Sequence, residues 1–241
     1  MSKLTLVLLP GLDGTGDLFE PFINALGADY KSLVIAYPVS EPMDYQQLQA
    51  LVRKQLPATE PFCLLGESFS GPIAISVASD PPPNLVATVL CCTFTTNPQP
   101  RLASLQWLLP VANPRLAPLW AVSALLMGNR STAALRIALA RSLAQVSAAA
   151  FRARLRSVLS VNVCEKLARV QKPVLYLQAT QDRIVPAESA ARALQAHPQL
   201  KIVKLEGPHF LLQVCPQEAC AAIGHFLSPW INDETRHQNY S

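Results

Sequence analysis

At 241 residues, 50% hydrophobic and only 15% charged, the chain can bury one large core and fits a single domain with room for an insertion. Its 21 prolines against 9 glycines, with apolar content this high, argue for irregular connections and against disorder. The net charge is +4, and no nucleic-acid partner is expected. The six cysteines, Cys63, Cys91, Cys92, Cys164, Cys215 and Cys220, lack metal-ligand spacing. Three of them lie in apolar runs, where cysteine acts as a small core residue. A reducing compartment and hence a cytoplasmic protein are expected, with no metal and no cofactor. Met1 to Pro10 carries one basic residue and no small-residue cleavage site follows, so it reads as a strand, not a secretory signal. The most apolar region, Leu116 to Met127, is too short to span a bilayer.

Leu4 to Leu9 is a continuous apolar run, the pattern of a strand buried on both faces of a parallel sheet. Pro10-Gly11-Leu12-Asp13-Gly14-Thr15-Gly16 ends it in a turn, and Leu18, Phe22, Ile23 and Leu26 follow at helical spacing. Ser32 to Tyr37 is the second predicted strand, and Asp44 to Leu56 a helix with Asp44 as N-cap. Phe62 to Leu65 is the third strand, Phe69 to Ser79 a small-residue helix ended by Pro81-Pro82-Pro83, and Leu85 to Cys92 the fourth strand. The alternation then stops, leaving proline-broken apolar and Ala/Leu/Arg-rich helical stretches as far as about Val170. It resumes with a strand at Pro173 to Ala179, a helix at Pro186 to Ala196, a strand at Lys201 to Leu205 and a helix at Gln217 to Phe226. Asn232 to Ser241 is polar and expected to fray. This order predicts an α/β fold: a mostly parallel six-stranded sheet with helices on both faces, and a helical insertion between the fourth and fifth strands.

The chemistry-bearing stretch is Gly66-Glu67-Ser68-Phe69-Ser70-Gly71. A serine at a sharp strand-to-helix turn, among small residues, is the arrangement of a nucleophile elbow. The hydroxyl needs a base, and the base an orienting acid; in open α/β sheets such groups gather at the carboxyl ends of strands. Of the four histidines, His209 alone follows directly on a strand end; His197 ends a helix, His225 lies inside one and His237 is in the tail. After the fourth strand Thr93 to Asn97 offers no carboxylate, whereas after the fifth the chain offers Asp182. Glu188 is already inside the helix and Glu206 is too near His209 along the chain to orient it. The competing role for Asp182 is a cap on the helix near Pro186. An oxyanion hole needs two backbone N–H groups, expected from Phe69, after the nucleophile, and from Leu12, in the turn after the first strand. That turn lacks the lysine and spacing of a phosphate loop.

Serine, aspartate and histidine in this order, after the third, fifth and sixth strands, resemble the α/β-hydrolase superfamily, and within it the small bacterial-type carboxylesterases that carry a helical cap. The likeness covers about Leu4 to Phe94 and Pro173 to Trp230. It implies a core at 1–94 and 171–241, a cap at 95–170, and a serine hydrolase that cleaves carboxylic esters through an acyl-enzyme on Ser68, with His209 as base and Asp182 as its partner. Two positions depart from the family's pattern: Ser70 stands where the elbow usually has glycine, and Pro10 where many relatives have histidine. Against larger relatives, the two outer strands are expected to be missing.

Residues 82–163 contain eight arginines, Arg101, Arg115, Arg130, Arg136, Arg141, Arg152, Arg154 and Arg156, and no acidic residue. A charge run is most often a solvated face; it also suits docking of an acidic acyl-carrier protein or of CoA, with an esterase or thioesterase acting on the carried acyl group. Contact with anionic lipid is a third option. Leu105, Trp107, Leu108, Leu109, Leu119 and Trp120 are expected to line the acyl pocket and pack the cap on the core. The substrate expected is a small-molecule acyl ester; a hydrolase-like protein that binds without turnover is the different-class alternative, and acyl transfer to an alcohol stays open.

Overall fold

The computed structural model describes residues 3–236 apart from 29, 101–106, 108–111, 114, 115 and 117. Six strands, β1 (Thr5–Leu9), β2 (Lys31–Val34), β3 (Phe62–Glu67), β4 (Leu85–Cys91), β5 (Val174–Ala179) and β6 (Lys201–Leu205), form one sheet in the order β2-β1-β3-β4-β5-β6. Every pairing is parallel. Alternate residues of the buried strands feed two cores. Val7, Leu9, Phe62 and Leu64 face α2 (Tyr45–Gln55), α3 (Gly71–Ala78) and α8 (Ala187–Ala196). Leu6, Leu8, Cys63 and Leu65 face α1 (Glu20–Leu26), α9 (Leu211–Val214) and α10 (Pro216–Arg236). A two-residue period on strands buried on both faces accounts for the three layers. The edge strands differ: Lys31 and Ser32 of β2 and Lys201 and Lys204 of β6 are exposed, which discourages pairing with another chain.

The chain leaves β1 for one side of the sheet and returns to lay β3 on the other, so the strand order reverses between them. Ligands in such sheets bind at that reversal, beyond the carboxyl ends of the strands. The elbow after β3 and the turn after β1 flank it. Between β4 and β5 lie α4 (Leu119–Met127), α5 (Ala133–Gln145), α6 (Ala148–Ser160) and α7 (Cys164–Ala168). Leu18, Met127 and Leu139 form a small buried cluster that seats α4 and α5 on the segment after β1.

Several boundaries differ from those read off the sequence. β2 stops at Val34, because Ile35 and Tyr37 leave the edge and enter the core beside α2. Asp44 does cap α2, in a reciprocal capping box with Gln47 at 2.9 and 3.0 Å. Ser68–Ser70 is a 3-10 turn before α3, which begins at Gly71. The last helix runs from Pro216 to Arg236, through Pro229, so 232–236, expected to fray, are helical. The short α9 after His209 has no counterpart in the sequence reading.

Candidate active site

The elbow is held by close backbone approach. A Cβ at Gly66 would lie 2.7 Å from the Ser70 carbonyl oxygen and 2.8 Å from Ala74 Cβ, so strand and helix can cross this closely only at glycine. Ser68 itself sits at φ 48°, a left-handed conformation that side chains rarely adopt and that costs of order 1–3 kcal/mol unless its surroundings hold it. They do: the Ser68 carbonyl accepts from Gly71 N–H and from Thr93 Oγ1, and Tyr176 donates its hydroxyl to the Thr93 carbonyl. α3 is buried at every position, which anchors the helical side of the turn.

Three loops from three strand ends converge on the serine. His209 Nε2 lies 2.8 Å from Ser68 Oγ, and His209 Nδ1 lies 2.7 Å from Asp182 Oδ2. The other carboxylate oxygen, Asp182 Oδ1, accepts from Ile184 N–H at 2.8 Å and Val185 N–H at 2.9 Å. Asp182 therefore shapes its own loop and does not cap α8, whose N-cap is Pro186 and receives no side-chain hydrogen bond. Glu206 turns away from the site and pairs with Arg130 at 3.6 Å. His197 is buried against the end of α8 and His225 is exposed on α10; His237 lies outside the described residues.

Ser68 and His209 open onto a cavity of about 210 Å³. Gly11, Leu12 and Asp13 form one wall, and Val122, Leu125 and Leu126 of α4 another. Leu139 and Leu143 of α5, Phe151 of α6, Ile184 and Phe210 complete an apolar surround. The sequence reading placed different residues here. Trp107 and Trp120 are 70% and 76% exposed and do not line the cavity, Leu119 packs in the small α4–α5 cluster, and Leu105, Leu108 and Leu109 lie outside the described residues. α4 is apolar all round except for Ser123, which is itself buried, so its sequence carries no polar stripe to say which face turns inward.

Ser70, the departure from the usual elbow, is buried and occupied. Its hydroxyl donates to the Pro10 carbonyl and lies 2.5 Å from Tyr37 Oη, so that Tyr37 donates to Ser70 and Ser70 to Pro10. A glycine could not make this chain, which ties the elbow to the turn after β1. Burial, eased only in part by the Ser70 contact and by Arg154, pushes the Tyr37 phenol up, so it stays a neutral donor.

Two further groups escaped the sequence reading. Glu67, immediately before Ser68, is buried and accepts from Gln213 Nε2 at 2.9 Å. Burial pushes its carboxyl up to about 7, opposed by the Gln213 hydrogen bond, reinforced by the charge of Asp13 and opposed again by His209. Arg154 is the other: 1% exposed, it reaches from α6 to donate to the carbonyls of Leu12 at 3.0 Å, Asp13 at 2.6 Å and Pro38 at 2.9 Å. Its guanidinium also lies over the Tyr37 ring at 5.7 Å. One of the eight arginines thus belongs to the interior, whereas Arg136, Arg141 and Arg156 are exposed. α6 buries Ala150, Arg154 and Ser157, a helical stripe in which the arginine stands at a core position between small residues. That spacing was present in the sequence.

Among the described residues no group of three His, Cys, Asp or Glu side chains could hold a metal ion, and no helix is long and apolar enough to cross a membrane.

The model of the alpha/beta hydrolase family matches residues 6–223. Three solved structures with the same fold are an enol-lactonase from Burkholderia xenovorans LB400, a bromoperoxidase from Bacillus anthracis and an esterase from Exiguobacterium antarcticum. The enol-lactonase superposes with a TM-score of 0.79 at 15% identity, over 95% of this chain and 92% of the other. The bromoperoxidase does so at 0.81 and 17%, over 94% and 92%, and the esterase at 0.81 and 15%, over 94% and 92%. Phytyl ester synthase 1, chloroplastic, of Arabidopsis thaliana is 36% identical over 81 residues, 31% of this chain but only 12% of that protein's length.

Proposed function

The chain belongs to the alpha/beta hydrolase family, and from that premise we propose that it is a serine hydrolase of carboxylic esters. The observation that carries this reading is His209 placed between Ser68 Oγ at 2.8 Å and Asp182 Oδ2 at 2.7 Å, at the mouth of an apolar cavity. In this reading 1–94 and 171–241 form the catalytic core and 95–170 a cap that shapes the acyl pocket.

The ester enters with its acyl chain among Leu125, Leu139, Leu143 and Phe151. Ser68 Oγ attacks the carbonyl carbon as His209 Nε2 takes the hydroxyl proton. Asp182 accepts from His209 Nδ1–H, which keeps the imidazole in the tautomer whose Nε2 is free to act as base, and stabilises the imidazolium that forms. The N–H groups of Leu12 and Phe69 face the tetrahedral oxyanion. Phe69 is suited to this because the first N–H groups of a helical turn have no partner inside it. His209 then protonates the departing alcohol, and water, deprotonated by His209 in turn, hydrolyses the acyl-Ser68 ester. The donors to the Ser68 carbonyl, Gly71 N–H and the Thr93 hydroxyl, hold its φ of 48° before substrate binds, so that strain need not be generated during turnover.

The alternative in which the acyl group arrives on an acidic carrier rests on the exposed Arg136, Arg141 and Arg156 alone. A panel of nitrophenyl esters graded by acyl length tests the main reading. The wild-type protein is expected to turn over medium acyl chains, and Ser68→Ala to lose turnover by about 10⁴-fold or more. A Ser68→Ala protein with near wild-type rates would refute it.

A further inference from the structure

We propose that Arg154 is a positioning residue for the oxyanion: from α6 it locks the turn after β1 so that the Leu12 N–H stays aimed at the substrate oxygen on Ser68. The proposal rests on the ester-hydrolase reading above.

The geometry follows peptide by peptide, because each peptide unit is a rigid plane whose C=O and N–H point in opposite directions. Four consecutive carbonyls of the turn are held. Pro10 C=O accepts from Ser70 Oγ, and Gly11 C=O from Gly14 N–H at 3.1 Å. Leu12 and Asp13 C=O both accept from Arg154 Nη1, at 3.0 and 2.6 Å. The Gly11 carbonyl belongs to the same plane as the Leu12 N–H. With that carbonyl turned inward toward Gly14, the N–H points outward, where Gly11 and Leu12 line the cavity beside Ser68. The inward bond forms only while Leu12 and Asp13 keep the turn that returns the Gly14 N–H to Gly11, and the two planes that carry the chain from Leu12 to Gly14 are the ones Arg154 holds. A Cβ at Gly14 would lie 2.5 Å from Arg154 Nη1, so this position requires glycine both for its torsion and to admit the guanidinium. The insertion grips the turn a second time: Ser142 of α5 donates to Asp13 Oδ2 at 2.8 Å, beside the Thr15 N–H and hydroxyl.

None of the ion pairs among the described residues includes Arg154, and burial lowers its pKa against the partial support of Asp13 and Tyr37. Its partners are the carbonyls of Leu12, Asp13 and Pro38, which lose their donor when the guanidinium is removed, so a loss of stability is expected beside the kinetic one. The fork of donors that can span two successive carbonyls is particular to arginine, and a fixed cation behind the turn favours negative charge in front of it, which exists only in the tetrahedral intermediate.

The test compares Arg154→Met and Arg154→Lys with wild type by steady-state kinetics, inhibition by a boronic acid carrying the preferred acyl chain, and amide hydrogen exchange. Arg154→Met is expected to lower kcat about 10- to 100-fold, with KM and the ranking of acyl lengths unchanged, and to weaken the boronate in step. The Gly14 amide, bonded to the Gly11 carbonyl at 3.1 Å, is expected to exchange at least about tenfold faster. Arg154→Lys, which keeps the cation but reaches fewer carbonyls, is expected to lose about three- to tenfold in kcat; it carries the test should the methionine variant not fold. A folded variant with wild-type kcat and exchange, or a loss confined to KM and acyl ranking, would overturn the proposal. A wild-type protein that turns over no ester and leaves Ser68 unreacted would instead refute the ester reading, while exchange would still report whether Arg154 holds the turn.

Discussion

The sheet and the helical insertion meet at the same cavity but contribute to it by different means. From the sheet come Ser68, Asp182 and His209, each a few residues beyond its strand: Ser68 is held by Gly66 and by Thr93 at the neighbouring strand end, Asp182 by the N–H groups of Ile184 and Val185. From the insertion come apolar side chains of α4, α5 and α6, and two polar groups, Arg154 and Ser142, that act on a turn more than a hundred residues away in sequence. Strand-end geometry thus places these three residues, and packing of the insertion lines the cavity and braces the turn. Substitutions on the two sides should fail differently, the first in rate, the second in selectivity and in the quality of the oxyanion site.

The largest effect belongs to the sheet side. Asp182→Asn is expected to lower kcat by about 10⁴-fold, because an amide at this position favours the wrong imidazole tautomer; steady-state kinetics at neutral pH would measure it. A loss of only a few-fold would mean that Asp182 shapes its loop and leaves His209 unaided.

Next comes stability, through Glu67. Its carboxyl titrates near 7 in the folded chain against 4.5 when exposed, so between those values unfolding releases a proton and stability falls as pH rises. Asp13, His209 and Gln213 face this group. The penalty is absent below about pH 4.5, complete above about pH 7, and amounts to roughly 3 kcal/mol. Urea unfolding at pH 4 and pH 8 should therefore show wild type losing roughly 3 kcal/mol relative to Glu67→Gln, with other groups cancelling in the difference. Parallel pH profiles for the two proteins would place the Glu67 titration elsewhere.

On the insertion side the expected change is smaller and of another kind. Leu143→Trp fills the cavity and should lower kcat/KM for longer acyl chains by about 10- to 100-fold while sparing acetyl esters, since each excluded methylene forfeits about 0.8 kcal/mol. A uniform loss across the acyl series would show that the chain lies elsewhere.

This division also explains what could be read from the residues. Ser68, Asp182 and His209 could be picked out because each lies in a short motif at a strand end, and the fold brings their side chains together in the order Ser68–His209–Asp182, each within 2.8 Å of the next. The groups of the insertion could not be. Arg154 is indistinguishable in composition from Arg152 and Arg156, and only its place on the Ala150–Ser157 stripe of α6 sets it apart. The mostly apolar α4 gave no preference between Trp120, which faces out, and Leu125 or Leu126, which line the cavity. Ser70 read as a tolerated substitute for glycine, because its partners Tyr37 and Pro10 are 33 and 60 residues distant.

The most direct measurement of Ser68 as the nucleophile is intact-mass and peptide analysis after treatment with a fluorophosphonate. Wild type should gain one adduct, on the peptide that contains Ser68; Ser68→Ala should gain none, and His209→Ala should react far more slowly. A wild-type protein that stays unmodified, or one modified at another serine, would contradict it.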